Sequence, residues 1–241
     1  MKVAESAVLV TGANRGIGQA LVEEALRRGA KRVYAGTRQN MAHPDGRVTP
    51  LTLDVTNAEQ IEAAVESVEH LDILINNAGV DLYGDIFDRA VLEQHLAVNV
   101  FGTYGVTHAF LPLLTRSQGA IVNVLSLAAI ANLPFDPTYS ISKAAALSLS
   151  QSLRALLAGR GVTVHVVLPG PVDTDMTRAL DLPKASPESV ARAIFDGVEE
   201  GEEEIFPDPM SASLAEGWRT SAVKALERRF AAYAKASPVK A

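Results

Sequence analysis

Apolar residues recur along this chain in two alternating rhythms. Short runs rich in β-branched residues occur at Ser6–Thr11, Arg32–Gly36, Val48–Leu53, Ile73–Asn76, Gly119–Val124, Val162–Leu168 and Glu204–Phe206. Between most of them lie longer stretches with helical periodicity, at Gly18–Arg28, Ala58–Glu69, Asp88–Leu114, Pro137–Leu157, Pro187–Glu199 and Ser211–Lys235. A short, continuously apolar run suits a strand buried on both faces, whereas a 3.6-residue period suits a helix with one buried face. Alternation of the two predicts βαβ units, hence an α/β fold with a parallel sheet covered on both sides. No repeat or Pro/Ser-rich linker interrupts the pattern, so residues 1–241 are expected to form one domain.

One interval breaks the rhythm. Between the second and third strands stands only "RQNMAHPDGRVT", Arg38 to Thr49, with Pro44 and Gly46 in its middle. Parallel neighbours need a crossover, usually helical, so this one is expected to be irregular. The acidic run Glu199–Glu204 reads as a solvated helix end and turn. The tail beyond Trp218 is amphipathic and could cover the core or a neighbouring subunit.

Composition narrows the function classes. The chain is 48% hydrophobic and 21% charged, with formal net charge −6, as expected of a soluble globular protein with a substantial core. That balance gives no reason to expect a nucleic-acid or anionic-membrane partner. No cysteine is present, which excludes disulfides, thiolate metal sites and a cysteine nucleophile, and fits a reducing, cytoplasmic location. The N-terminal residues enter a strand-like run too soon for a signal peptide, and no apolar stretch reaches the roughly 20 residues of a spanning helix. His43, His70, His95, His108 and His165 form no ligand-like cluster, so no metal is expected.

"AVLVTGANRGIGQALVEEALRRGA" carries the first chemical signal: a strand, a turn with Gly12, Gly16 and Gly18, then an amphipathic helix. Glycine lets the backbone turn tightly and approach an anion, and the helix N-terminus offers free N–H groups and partial positive charge. In this context the turn is a dinucleotide fingerprint, although its spacing is TGxxxGxG rather than GxGxxG. Where NAD-binding folds place an acid for the ribose 2′-hydroxyl, this chain has Thr37 and then Arg38. With Arg15 in the turn and no carboxylate to repel a 2′-phosphate, NADP(H) is expected over NAD(H).

The second signal is "DPTYSISKAA", in which Tyr139 and Lys143 stand at i and i+4 on a helix opened by Asp136, a plausible N-cap, and Pro137. Alone, such a pair is an ordinary solvated face. It does not stand alone. "TGANRGIG" (Thr11–Gly18), Asp54-Val55, "NNAG" (Asn76–Gly79), Asn99, Ser126, "YSISK" and Pro169-Gly170 follow one another in the order of the short-chain dehydrogenases/reductases, whose short single-domain branch this chain resembles over nearly its first three quarters.

The resemblance implies a Rossmann-type three-layer αβα sandwich of about seven parallel strands, with a cofactor half over about 1–125 and a catalytic and substrate part over about 126–241. It implies a catalytic set of Asn99, Ser126, Tyr139 and Lys143, with Asn99 holding a water that resupplies protons through the lysine. Gly12, Asn14, Arg15, Gly16, Ile17 and Gly18 would line the pyrophosphate and adenosine ribose, with Thr37 and Arg38 beside them. Asp54 and Val55 would hold the adenine; Asn76, Ala78 and Gly79 would pass under the ribose and brace the sheet. Pro169, Gly170, Val172 and Thr174 would anchor the nicotinamide, and Tyr139 and Lys143 would also touch the cofactor. Ser126, Ala128, Phe135, Tyr139 and Met176 are the candidate substrate contacts. Pro-S hydride chemistry and a homotetramer or dimer, formed through the helices of Asn99 and Tyr139, complete what the resemblance implies.

Reduction of a carbonyl needs a proton for the developing alkoxide from a group within hydrogen-bond reach. A lysine charge near 4 Å, at an effective dielectric of about 20, would stabilise tyrosinate by roughly 4 kcal/mol. That is enough to lower the tyrosine pKa by up to about 3, so Lys143 is expected to tune Tyr139 downward. The function expected is an NADPH-dependent reductase of ketones or aldehydes, reversible as an alcohol dehydrogenase (EC 1.1.1.-), acting on a small molecule. The alternative is a 3-oxoacyl-[acyl-carrier-protein] reductase, which shares every motif but for which no basic docking patch is evident. A non-enzymatic NADP-binding scaffold would have lost the tyrosine or lysine, and epimerases or dehydratases of this fold are generally longer or use other glycine spacings.

Overall fold

The computed structural model describes residues 1–39 and 41–236. Its seven strands, β1 (Ala7–Thr11), β2 (Arg32–Thr37), β3 (Val48–Thr52), β4 (Ile73–Asn76), β5 (Ala120–Val124), β6 (Thr163–Val167) and β7 (Glu204–Ile205), each fall on a run expected from the sequence. They form one sheet in the order β3-β2-β1-β4-β5-β6-β7, parallel at every pairing. β1, β4 and β5 are buried at every position, as strands sandwiched between helical layers must be.

Alternate residues of each strand serve different layers. Val8 and Val10 point into the core shared with α1 (Gly16–Arg27) and α6 (Pro187–Glu200), through Leu21, Val22, Ile194 and Phe195. Leu9 points the other way, toward Ile61 of α2 (Ala58–Ser67) and toward Phe110 and Leu114. Burying side chains of this size contributes roughly 1.5–3 kcal/mol each, so the period of two that places them decides which helix covers which face.

Successive strands run outward from β1 in one direction to β3, and then from β4 in the other. The switch opens a crevice at the carboxyl ends of the strands, where α/β sheets bind ligands. Thr11, Asn76, Val124 and Val167 all end there.

Among its described residues the β2–β3 crossover contains no helix, as its composition suggested. Arg47 tethers it to the end of α1 by donating to the carbonyls of Leu26 and Ala30 at 3.2 and 3.4 Å. β3 is an edge strand, so the missing N–H of Pro50 costs no ladder bond.

Two helical stretches are not continuous. Asp88–Leu114 resolves into α3 (Arg89–Leu96), a π-helical turn (Ala97–Gly102) and α4 (Thr103–Ser117). Ser211–Lys235 becomes the end of α7 (Pro209–Ala212), then α8 (Ala215–Arg219) and α9 (Ala222–Ala236). Polar side chains start the outer two: Asp208 caps α7, and the Ser221 hydroxyl accepts the Lys224 amide at the head of α9. Lys224, 1% exposed, pins α9 to the sheet edge through Glu203 and Glu204 at 2.9 and 2.7 Å. α5 (Pro137–Leu157) is continuous. Among the described residues no helix is long and apolar enough to cross a membrane.

The π turn packs on the segment that follows β3, at Val55. A Cβ at Gly102 would stand 2.6 Å from Cγ2 of buried Val55. Gly102→Ala is therefore expected to lose about 1–3 kcal/mol of stability by overpacking, read as a lower midpoint in urea; an unchanged midpoint would contradict this contact.

Candidate active site

The crevice begins at the glycine turn. Gly12 and Gly16 adopt positive φ values of 65° and 53°, a conformation that only glycine takes up at little cost. Gly18 opens α1 against the turn itself, because a Cβ there would lie 2.0 Å from the Gly12 carbonyl oxygen. Asn77 locks the arrangement: its side-chain amide donates to the carbonyls of Thr11 and Gly12 at 3.0 and 3.2 Å. The Thr11 hydroxyl accepts the amides of Asn77 and Ala78, both at 3.0 Å. No side chain caps α1, so its first N–H groups face the crevice beside exposed Asn14 and half-buried Ile17. This cradle fits a pyrophosphate.

The Arg15 guanidinium is exposed and pairs with Asp175 at 3.1 Å, and Asp175 also pairs with Arg178. Thr37 is buried at the end of β2, its hydroxyl donating to the Gln39 carbonyl. Exposed Arg38 follows it. Burial works against ionisation of Asp54, but the amide and hydroxyl of Thr56 and the charge of Arg38 hold its carboxyl below the ordinary range. Asn76 turns away from the crevice, donating to Thr107 and Asn123 at 3.0 and 2.9 Å, so its side chain braces the sheet to α4.

The catalytic candidates converge. Tyr139 and Lys143 lie on one face of α5 and are only 8% and 6% exposed. The lysine Nζ lies 5.5 Å from the tyrosine ring centroid and donates to the Val124 carbonyl at 3.2 Å. Ser126 stands just beyond β5, accepting the Ala128 amide at 3.1 Å and hydrogen-bonded to Tyr139. Asn99 is 2% exposed within the π turn. Its carboxamide accepts the Val80 amide and donates to the Val80 carbonyl and to Ser142, each at 2.9 Å. Gly79 fits between these groups: a Cβ there would lie 3.3 Å from Asn99 Oδ1 and 3.6 Å from Lys143 Nζ.

The electrostatics reverse one expectation. Lys143 was expected to pull the Tyr139 pKa down, yet the phenol is pushed well above its ordinary value. Burial is the largest cause, the negative charges of Asp81 and Asp136 add to it, and only the Ser126 hydrogen bond opposes them. Burial also drives Lys143 down to about 8, with Asp81 pulling the other way. Desolvation of a fully buried group shifts a pKa by up to 3–5, which exceeds what one lysine at this separation returns.

Asp81 carries no motif, and sequence reading missed it. Asp136 occupies the N-cap position of α5 without a side-chain capping bond, contrary to the role expected for it. Its carboxyl instead meets that of Asp81, and burial, that hydrogen bond and the Asp81 charge push it up to about 7.

On the α5 side of the crevice, Pro169 and Gly170 lie just beyond β6. The Pro169 carbonyl accepts the Leu127 amide at 3.0 Å, and the Gly170 amide donates to Asp208 at 2.8 Å. Asp208, a cap residue otherwise, is thus a second support that no motif announced. Val172 is buried, and the methyl of Thr174 lies 3.1 Å from where a Gly16 Cβ would be. Among the substrate candidates, Phe135 and Met176 are exposed, while Ala128 is buried and contributes its amide to Ser126.

The family described as short chain dehydrogenase matches residues 6–185. A short chain dehydrogenase from Burkholderia cenocepacia, solved in complex with NADP, is 38% identical with a TM-score of 0.87, covering 95% of this chain and 98% of that one. 2-(S)-Hydroxypropyl-CoM dehydrogenase 3 from Xanthobacter autotrophicus is 35% identical over 203 residues, 78% of this chain and 80% of the relative. Estradiol 17-beta-dehydrogenase 2 from Mus musculus is 35% identical over 199 residues, 76% of this chain but 52% of the relative, so the chain matches about half of that protein's length. The chain belongs to the short-chain dehydrogenase family of oxidoreductases acting on CH–OH groups.

Proposed function

We propose that this chain is an NADPH-dependent reductase of small ketones or aldehydes, reversible as an alcohol dehydrogenase. The observation that carries the proposal is the meeting of Ser126, Tyr139 and Lys143 at the carboxyl edge of the sheet, the last two more than nine-tenths buried on one face of α5. The nicotinamide, when bound, supplies or accepts the hydride. Ser126 and Tyr139 hold the carbonyl oxygen, and Tyr139 transfers its proton to the oxygen as alkoxide charge develops. Lys143 faces the tyrosine ring and steadies the tyrosinate that proton transfer leaves behind. Asn99 fixes the strand-side wall through Val80, and a water on its main chain would resupply protons.

The glycine cradle, Thr37 in place of an acid, and the nearby Arg15 and Arg38 support NADP(H) over NAD(H), as does the NADP in the Burkholderia relative. Cofactor contacts are proposed for Gly12, Asn14, Arg15, Gly16, Ile17, Gly18, Thr37, Arg38, Asp54, Val55, Ala78, Gly79, Tyr139, Lys143, Pro169, Gly170, Val172 and Thr174, and for the main chain of Asn76, within a single domain. Phe135 and Met176 offer apolar substrate contacts. Asp81 and Asp136 make the site's mouth acidic, which disfavours an acyl-carrier substrate and favours a free small molecule. The exposed Phe101, Tyr104 and Ile141 on the outer faces of the π turn, α4 and α5 support a homo-oligomer.

A panel of ketones and aldehydes assayed with NADPH and NADH tests the reading; no turnover on any carbonyl or alcohol would end it. Tyr139→Phe should lower kcat by roughly 10²–10⁴-fold while NADPH still binds, measured by fluorescence titration. Thr37→Asp should lower kcat/KM for NADPH at least about tenfold through like-charge repulsion and raise it for NADH. Burial keeps Tyr139 protonated across the neutral range, so alcohol oxidation, which needs the tyrosinate, should climb steadily with pH, while reduction should show no acid-side requirement for it. An oxidation rate independent of pH between 6 and 9 would contradict that assignment.

A further inference from the structure

His95 takes no part in the chemistry above, yet it is fully buried at the end of α3, 0% exposed. Its Nε2 lies 2.9 Å from the Leu82 amide, which can only donate. Nε2 must therefore accept, and Nδ1 carries the proton and donates to the Thr138 hydroxyl at 3.1 Å. Thr138 is also 0% exposed and immediately precedes Tyr139. The imidazole edge meets the Tyr139 ring with centroids 6.0 Å apart and planes at 69°. One side chain thus ties α3, the 80–82 segment and the first turn of α5 together at the catalytic tyrosine.

The tie has a consequence for Asp81. Val80, just before it, is held at both main-chain groups by Asn99. Leu82, just after it, is held by His95. Asp81 is a single residue between two buried anchors, and its exposed carboxyl is set against that of Asp136, which opens α5. We propose that His95 is a positioning residue for the reaction: by joining Leu82 to Thr138 and packing its edge on the Tyr139 ring, it fixes Asp81 beside the first turn of α5, where the acid–base chemistry takes place. The proposal rests on the oxidoreductase reading above.

The groups facing Tyr139 are Asp81, Asp136, Ser126, Lys143 and the edge of His95. Those facing His95 are Asp81, Lys143, Thr138 and Tyr139. A carboxylate held beside a phenol opposes its ionisation, so the pair favours the acid form that delivers a proton and resists the base form that removes one. His95 must stay neutral to do this, since protonated Nε2 would point a second N–H at the Leu82 amide. Burial, reinforced by Lys143 and opposed by Asp81, keeps its pKa below the ordinary histidine value.

The test is alcohol oxidation with NADP⁺ as a function of pH. Asp81→Asn should slide the rising limb about one pH unit toward acid, raising the oxidation rate roughly tenfold at a fixed pH on that limb. A rate gain is an outcome that mere structural damage does not produce. His95→Leu should move the limb in the same direction, the Asp81→Asn/His95→Leu double variant should move it no further, and His95→Gln, whose amide can accept from Leu82 and donate to Thr138, should return it toward wild type. Thr138→Val cuts the other end of the tie and covers the case in which His95→Leu does not fold. A His95→Leu or Thr138→Val limb that overlays wild type, with only a uniform loss of rate or a lower Tm, overturns the proposal. So does a double variant in which the two shifts add. In tyrosine-labelled protein, the NMR resonance of the hydroxyl-bearing ring carbon of Tyr139, assigned by its loss in Tyr139→Phe, should begin to titrate at lower pH in Asp81→Asn and His95→Leu. That readout needs no turnover, so an inactive wild type would end the oxidoreductase reading and leave this one to be decided separately.

Discussion

The Asn99 carboxamide makes three hydrogen bonds of 2.9 Å, two to the main chain of Val80 and one to Ser142 of α5. Much of the site depends on that closure. A carboxamide offers one acceptor and two N–H donors, and here every part of it is engaged and almost wholly out of water. An aspartate would lose both donors and an alanine all three partners, each leaving a buried amide or carbonyl unpaired at about 1–3 kcal/mol. The clamp lets Gly79 pass between Asn99 and Lys143. It lays the 79–82 segment against α5, and so determines which groups the buried tyrosine and lysine face.

What those groups do follows from burial. Taking Tyr139 and Lys143 out of water disfavours the charged form of each, raising the phenol and lowering the ammonium to about 8. Asp81 acts on both with the same negative charge but opposite results: it restores charge to the lysine and resists charge on the tyrosine. A lysine-only account fails on geometry as well as sign. The ammonium is 5.5 Å from the ring centroid and already donates to the Val124 carbonyl, so part of its field is spent there. The protein side of this site stores a proton; a positive charge brought to the tyrosine by the oxidised cofactor is what would release it.

The strands were readable because β-branched, continuously apolar runs bounded by Gly and Asn have few other uses, and all seven fell within a residue or two of their observed ends. The glycine turn was readable because Gly12, Gly16 and Gly18 answer to local backbone geometry. The π turn at Asn99 was not, since one inserted residue leaves the apolar stripe of α3 and α4 looking continuous. The final helix broke at Ser213–Leu214 and at Thr220–Ser221, because where the chain must turn along the sheet edge is set by tertiary packing that its amphipathic pattern does not carry. Asp81 and His95 were invisible for a different reason. Their partners, Asp136 and Thr138, are distant in sequence, and only the packing of α3 against α5 brings them together.

The two halves of the crevice are also joined across its opening. Arg15 of the glycine turn pairs with Asp175, and the Thr174 methyl rests where a Gly16 side chain would be. Both ion-pair partners are about half exposed or more, at 67% and 48%, so the bond contributes at most about 1 kcal/mol. A phosphate placed at the α1 N-terminus draws the same guanidinium with a stronger, charge-assisted contact. Asp175 keeps Arg178 as a partner when Arg15 leaves, so the exchange strands no charge. On the NADPH reading, the arginine that recognises the cofactor is therefore held ready by a contact weak enough to yield. The segment that yields, Asp173 to Arg178, carries Met176, so cofactor recognition and the substrate wall meet in one short stretch of chain.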